Sequence, residues 1–282
     1  MRTLVMKAMG AYAKVAPTQR GGFRLCRLAR KAWPREQWQG RRTNPHGLSL
    51  DTDLGTYPDV AMAFGLYELD TLRVLRKHLQ PGSVFVDGGA NLGYFTLHAA
   101  RLGATVHAFE PDPANRARLE ANLAANDLTA TVHPAALTDT PGSLTLHHPP
   151  EGDHFNHGQT SLLESLAAGG TTSTVDAVRL DAQLDHADVI KLDVEGAELG
   201  ALRGMAGLLS GERPPTLVVE VNGPACRAAG HAPGELLRAV QDVNGSYRCW
   251  WIGGRLRELP GPDALDDLPL EGNVLMRPAA KL

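Results

Sequence analysis

Aromatic residues make up only 5% of the 282-residue chain, too few for the stacked platforms that grip single-stranded nucleic acid. Positive charge is not in excess either. There are 28 Lys and Arg against 31 Asp and Glu, a net charge of −3, so no nucleic-acid partner is expected. Cysteine is scarce: Cys26, Cys226 and Cys249 are odd in number, far apart and without a C-x-x-C pair. That excludes a disulfide framework and a thiolate zinc site, and it fits a reducing compartment, the cytoplasm. No apolar run approaches the roughly 18 residues that a membrane-spanning helix needs. What remains is ordinary for a globular protein: 43% hydrophobic and 21% charged residues, in a length enough for one large domain or two small ones with a sizeable core.

The charge is unevenly spread. Residues 1–50 hold 11 Lys and Arg and one acid, Glu36, which leaves 17 basic and 30 acidic residues for the remainder. A basic extension (residues 1–50, net +10) therefore precedes an acidic domain (residues 51–282, net −13). Lys7 and Lys14 interrupt any apolar segment of a signal peptide. The extension reads as helical, packing on its own acidic body or on a second copy of the chain, which makes it a candidate surface for homo-oligomerisation. A basic segment of this kind also suits an anionic partner, a membrane face or a transit peptide.

Residues 40–58 turn polar and turn-rich and read as the linker into the main domain. Leu66, Leu69, Leu72, Leu75 and Leu79 predict one amphipathic helix over residues 59–79, ended by Pro81-Gly82. Strands and helices then alternate. Val84–Val86, Thr105–Phe109, Thr131-Val132, Val189–Leu192 and Leu217–Val221 read as strands. Helices are expected through Leu97–Leu102, from Asp112-Pro113 to about Asn126, over Ala197–Leu209 and over Pro233–Val243. Tyr247–Ile252 and Asn273–Met276 read as closing strands. This is the pattern of an α/β fold with a parallel sheet covered on both faces, and such sheets bind ligands beyond the carboxyl ends of their strands.

The first strand is followed by Asp87-Gly88-Gly89-Ala90-Asn91-Leu92-Gly93, whose glycines allow a tight turn close to a ligand. The second strand is followed by Glu110, 17 residues beyond Gly93, placed to grip two ribose hydroxyls. Ala90 spoils the dinucleotide fingerprint G-x-G-x-x-G. The form D-x-G-x-N-x-G instead suits an adenosine cofactor with an amino-acid tail, which points to S-adenosylmethionine, with Asp87 toward its ammonium. A second constellation, Asp188 to Glu198, puts Lys191, Asp193 and Glu195 at the end of an apolar strand. Alternation places the three on one side of the sheet for as long as the chain stays extended. Charge in a strand buried on both faces implies either a fastening ion pair or a functional site.

Together, Asp87–Gly93, Phe109-Glu110-Pro111, the stretch Ile190-Lys191-Leu192-Asp193-Val194-Glu195-Gly196-Ala197-Glu198 and Leu202-Arg203-Gly204-Met205 resemble the FkbM-type methyltransferases. Gly65-Leu66-Tyr67-Glu68, Asn122, Asn126, Glu220 and Asn273-Val274-Leu275 add to the likeness, which covers about residues 60–278. The resemblance implies a class I methyltransferase fold, a mostly parallel, Rossmann-like, seven-stranded sheet with helices on both faces, and S-adenosyl-L-methionine as cofactor. It also implies that Asp87, Gly88, Gly89, Ala90, Asn91 and Gly93 form the turn holding the methionine part and that Glu110 holds the ribose. Pro111 and Asp112 would then lie beside the ribose and adenine, Ala136 against the adenine, and Asp193 near the methyl donor. The basic extension lies outside the likeness.

Methyl transfer to a hydroxyl needs a nucleophile in line with the departing sulfur, exclusion of water and a base. Candidates are Asp193, His154 and His157, the last two in a histidine-rich loop after a strand or hairpin at Gly142–Leu146. Lys191 and Glu195 complete the catalytic set. A divalent metal on Asp193 with Glu195 or Glu220 is a lesser alternative, and no metal ligand is assigned. The expected reaction is O-methylation of a small molecule, natural product or glycan. The competing readings are a nicotinamide-dependent oxidoreductase on the same sheet and a cofactor-binding partner without chemistry.

Overall fold

The computed structural model describes residues 2–15, 22–148, 161–163, 170–268 and 271–279. The basic extension forms α1 (Arg2–Val15) and α2 (Gly22–Ala29), followed by a two-stranded antiparallel ribbon of β1 (Gln39–Thr43) and β2 (Ser49–Asp53). The expected linker is therefore partly regular structure, and a boundary at residue 50 falls inside β2. The expected helix over 59–79 is two helices, α3 (Asp59–Ala63) and α4 (Leu69–His78). Gly65 and Glu68 adopt left-handed backbone between them (φ 69° and 39°), which breaks the hydrogen-bond ladder while leaving both apolar faces buried.

The main sheet then begins. Its strands are β3 (Val84–Gly88), β4 (Thr105–Phe109) and β5 (Thr131–His133), joined by α5 (Tyr94–Arg101) and α6 (Pro113–Ala124). An inserted three-stranded sheet follows, made of β6 (Ala135–Leu137), β7 (Gly142–His148) and β8 (Thr171–Val178) in the order β6-β8-β7. The chain returns through β9 (Val189–Leu192), α7 (Glu198–Arg203), α8 (Ala206–Ser210), β10 (Thr216–Asn222), α9 (Gly223–Ala228) and α10 (Gly234–Val243). It closes with β11 (Tyr247–Ile252), β12 (Arg257–Leu259), α11 (Asp263–Asp266) and β13 (Glu271–Pro278). The eight-stranded order is β12-β11-β13-β10-β9-β3-β4-β5. The seven expected strands are present, and β12 adds an eighth at the edge. β13 runs antiparallel to both of its neighbours, and β5, β4, β3, β9 and β10 run parallel.

Strand alternation builds two cores. Val86, Ile190, Leu217 and Val219 face α7, α8 and α10 through Leu202, Leu208 and Leu237. Phe85, Val189 and Val218 face α4, α5 and α6 through Leu72, Leu97 and Leu119. A third cluster seats the basic extension: Met9, Ala13, Cys26 and Ala29 pack on Val60, Ala61, Ala63 and Phe64 of the α3 region. The extension thus packs on its own body. The helix expected over 197–209 is interrupted at Gly204, where an added Cβ would lie 2.0 Å from the Thr138 carbonyl oxygen. Only a glycine lets these two backbones meet.

Candidate functional site

A cavity of about 330 Å³, within the range of small-molecule sites, opens at the carboxyl ends of β3, β4 and β9. Its position is the one that the sheet topology dictates. Gly89, Ala90 and Asn91 form one wall and Glu110 and Pro111 another. Ala136 and Leu146 of the inserted sheet supply apolar cover, and Lys191, Asp193 and Glu195 lie beyond the β3 turn.

The β3 turn is held from both sides. The Gly89 and Ala90 amides donate to the Phe109 carbonyl at 3.0 and 3.1 Å. Gly89 has φ 80°, and a Cβ there would sit 1.9 Å from the Asp193 carbonyl oxygen, so the two ligand-facing loops touch backbone to backbone. Asn91, also left-handed at φ 51°, donates its amide to Glu110 Oε2 at 2.7 Å. The Asp112 amide donates to Glu110 Oε1 at 2.9 Å. Glu110 is buried, and its carboxyl is pushed up to about 7, burial outweighing these two hydrogen bonds. The Asn115 side chain also bonds this carboxyl, and since a carboxylate can accept about four hydrogen bonds, it keeps room for a further donor from the cavity.

Asp112, Asp87, Gly88 and Gly93 do not line the cavity. Asp112 caps α6, accepting from the Ala114 and Asn115 amides at 2.7 and 3.1 Å, and it pairs with His148 Nδ1 at 3.0 Å. Gly88 packs under Leu137 and Leu192, and Gly93 under Leu119. Asp87 is 1% exposed and accepts from Thr96 Oγ1 at 2.7 Å, while its Oδ1 has no partner among the described residues. Burial raises its pKa, against the pull of Lys191.

Lys191 is the centre of the second constellation. It is 1% exposed, donates to Asp193 Oδ2 at 2.8 Å and stands 4.5 Å over the Phe95 ring. Burial alone would depress its pKa, but Asp193, Glu68 and Asp87 together hold it above the ordinary value, so it stays charged. β9 ends at Leu192 and the chain then turns, with Glu195 and Gly196 left-handed (φ 52° and 96°), yet Lys191, Asp193 and Glu195 all line the one cavity. Glu198 makes that turn, accepting from the Val194 amide at 2.9 Å and the Gly196 amide at 3.1 Å. Glu195 lines the cavity, and its carbonyl accepts from the Ser161 hydroxyl at 2.7 Å. Burial, then Asp193, Glu198 and Glu271, raise its carboxyl well above the ordinary value. Glu220 is raised likewise, by burial and the neighbouring acids, and its Oε2 is buried without a partner among the described residues.

His154 and His157 lie outside the described residues. Of the other histidines near the insert, His148 also bonds Ser173 Oγ at 2.8 Å, and His133 stacks on Phe109 with centroids 4.2 Å apart. No group of three or more His, Cys, Asp or Glu among the described residues is arranged to hold a metal ion. Sequence reasoning missed Tyr57, Tyr67, Tyr94 and Phe95 on the cavity wall, and Arg118, which pairs with the buried Asp59 at its far side. Tyr67 lies inside the quoted Gly65–Glu68 segment, and Tyr94-Phe95 directly follow the glycine turn. Those positions were the available signal.

The sequence pattern of the Methyltransferase FkbM domain matches residues 87–247. The chain belongs to the FkbM methyltransferase family. The methyl donor of this family is S-adenosylmethionine. The 31-O-demethyl-FK506 methyltransferase FkbM of Streptomyces tacrolimicus is 33% identical over 154 residues, covering 50% of this chain and 59% of that protein. The hexuronic acid methyltransferase AglP of Haloferax volcanii is 30% identical over 148 residues, covering 50% and 58%. The matches span only 58% to 62% of the length of these curated relatives. Among solved structures, the tRNA (uracil-54, C5)-methyltransferase of Pyrococcus abyssi, in complex with S-adenosyl-L-homocysteine, is 12% identical with a TM-score of 0.44, covering 85% of this chain and 43% of that one. The cavity of this FkbM-family chain fits an adenosine-type donor. Glu110 offers spare acceptor capacity to a diol, Phe109, Pro111, Ala136 and Leu137 are apolar cover for a base, and the surplus of carboxylates suits a cation. No helix among the described residues is long and apolar enough to cross a membrane.

Proposed function

We propose that the chain is an S-adenosylmethionine-dependent O-methyltransferase acting on a hydroxyl of a natural product or glycan. The observation that carries this reading is the division of carboxylates around the β3 turn, with Glu110 on the β4 side and Asp193 with Glu195 on the β9 side of one cavity. When bound, the donor supplies an activated methyl group on a positively charged sulfur. The protein then has to hold the donor, orient the acceptor, exclude water and take one proton.

Glu110 and the Gly89–Asn91 turn hold the ribose and the methionine part. Asp87, behind the wall, braces this turn from β3 and acts through its neighbours. Asp193 accepts a hydrogen bond from Lys191 at 2.8 Å, which fixes its direction toward the donor's side of the cavity. Glu195 is the base among the described residues: it faces the cavity, no cation is paired with it, and its raised pKa gives it more proton affinity than an ordinary carboxylate. A cationic ligand lowers that pKa again, leaving the carboxylate ionised when it is needed. Tyr57, Tyr67 and Tyr94 close the apolar side. The FK506 and hexuronic acid methyltransferases among the relatives support an acceptor of the natural-product or glycan class.

The test uses methyl-labelled S-adenosylmethionine with macrocyclic polyketide and glycoside acceptors. A methyl ether survives mild alkali, whereas a methyl ester does not. Alkali-stable label, with turnover that falls at least about a hundredfold in Glu195→Gln, is the expected result. Label released by alkali, or full turnover in Glu195→Gln, overturns the reading.

A further inference from the structure

The basic extension lies outside the cavity and outside the matched domain, and its packing fixes which face it shows. Met9 and Ala13 of α1, with Cys26 and Ala29 of α2, are buried against the body. The start of α1 meets the chain just beyond α2, where the Arg2 side chain donates to the Ala32 carbonyl at 3.3 Å. The outer face carries Leu4, Lys7, Ala8, Ala11 and Lys14 of α1, then Arg24 and Leu28 of α2 and Lys31 just beyond it. Leu4 is 72% and Leu28 61% exposed, more than any other exposed large hydrophobic side chain described. Neither helix contains an acidic residue. Lys7, Lys14, Arg24 and Lys31 have no ion-pair or hydrogen-bond partner among the described residues.

We propose that the outer face of the α1–α2 pair docks on the surface of an anionic phospholipid bilayer. Leucines interleaved with lysines on one helical face are what an interfacial helix presents: the apolar side chains enter the acyl boundary and the cations meet the headgroups. A purely electrostatic partner would not use two leucines held out in water, and a purely apolar one would be repelled by four unpaired cations. The acidic remainder of the chain favours the same orientation, since it turns away from an anionic surface. Docking this way also bears on the cavity. The extension packs on Val60, Ala61 and Ala63 of α3, while Asp59 and Met62 of the same helix, with Tyr57 before it, line the cavity. The surface that meets the bilayer and the mouth that takes the acceptor are thus separated by one short helix.

The experiment is flotation of the full chain with phosphatidylcholine vesicles, with and without phosphatidylglycerol. The expected result is binding only to the anionic vesicles, weakening as salt rises. Lys7→Glu/Lys14→Glu/Arg24→Glu/Lys31→Glu should lower the partition at least about a hundredfold, and Leu4→Ser/Leu28→Ser about tenfold or more. Binding to neither vesicle, or to both equally, overturns the proposal from the unmodified chain alone, whatever the variants do. A dimer in light scattering that the Leu4→Ser/Leu28→Ser variant dissociates also overturns it, by assigning this face to a second copy of the chain.

Discussion

Replacing Lys191 by Met removes the cation that, among the described residues, sits within a buried group of acids, while keeping the length and apolar stem of the side chain. In the native chain Lys191 is 1% exposed and bonds Asp193 at 2.8 Å, with Glu68 and Asp87 close enough to hold it charged. Removing one partner of a buried ion pair costs about 3–5 kcal/mol, because the other partner keeps its desolvation penalty. Loss of the contact with the Phe95 ring adds about 0.5–2 kcal/mol, and the apolar fit of Met offsets part of this. A net loss of about 3–5 kcal/mol is a large share of the roughly 5–15 kcal/mol typical of a folded domain. The pH dependence carries a sign. Without Lys191 the native-state pKa values of Glu68 and Asp87, already raised by burial, rise further, so the variant binds more protons when folded and regains stability as pH falls. Urea unfolding at about pH 7.5 and about pH 5.5 measures both effects. The gap to the native chain should be larger at the higher pH, and Lys191→Met/Asp193→Asn should recover part of it. A cost below about 1 kcal/mol at neutral pH, or an equal cost at both pH values, would refute the argument that this lysine neutralises the site.

Other expectations follow from the same geometry. Gly89→Ala forces a Cβ into the Asp193 carbonyl at a left-handed position and should cost at least about 2 kcal/mol by denaturant melts, with loss of donor binding. Asn122→Ala should cost about 2–4 kcal/mol, because buried Asn122 accepts from the Asp51 amide at 2.7 Å and donates to the Leu92 carbonyl at 2.9 Å; faster hydrogen exchange at Asp51 would locate the damage. The ligand-free chain should lose stability as pH rises from about 4.5 to about 7. Over that window folded Glu110 and Glu198, both pushed up to about 7, keep protons that the unfolded chain has released. A flat or rising melting temperature across it would contradict the burial argument.

Most of the sheet was legible because its strands are short apolar runs between turn residues, and alternation alone assigns Phe85 and Val86 to opposite cores. Asp112-Pro113 marked a helix start through chemistry local to the cap. The misses arise where a distant contact decides. The leucine spacing runs straight across the break between α3 and α4, although Leu66 and Leu69 pack with the extension and Leu72, Leu75 and Leu79 pack on the main sheet. The break at Gly204 comes from the Thr138 backbone, 66 positions away in sequence. The β1–β2 ribbon has a polar sequence, and the side chains of Asn122 and Asn126 in the α6 region pin it. In the site, residue types announced Glu110 and the glycine turn, but not that Asp87 points behind the wall. The alternation rule grouped Lys191, Asp193 and Glu195, and all three line one cavity, although Glu195 gets there through a left-handed turn that alternation does not describe.

The central claim, that Glu110 and the β3 turn hold S-adenosylmethionine, is met most directly by isothermal titration of the chain with that compound. One molecule should bind per chain, and Glu110→Ala should weaken binding about a hundredfold, as expected for loss of charge-assisted hydrogen bonds to a diol. No binding, or equal affinity in Glu110→Ala, would contradict it.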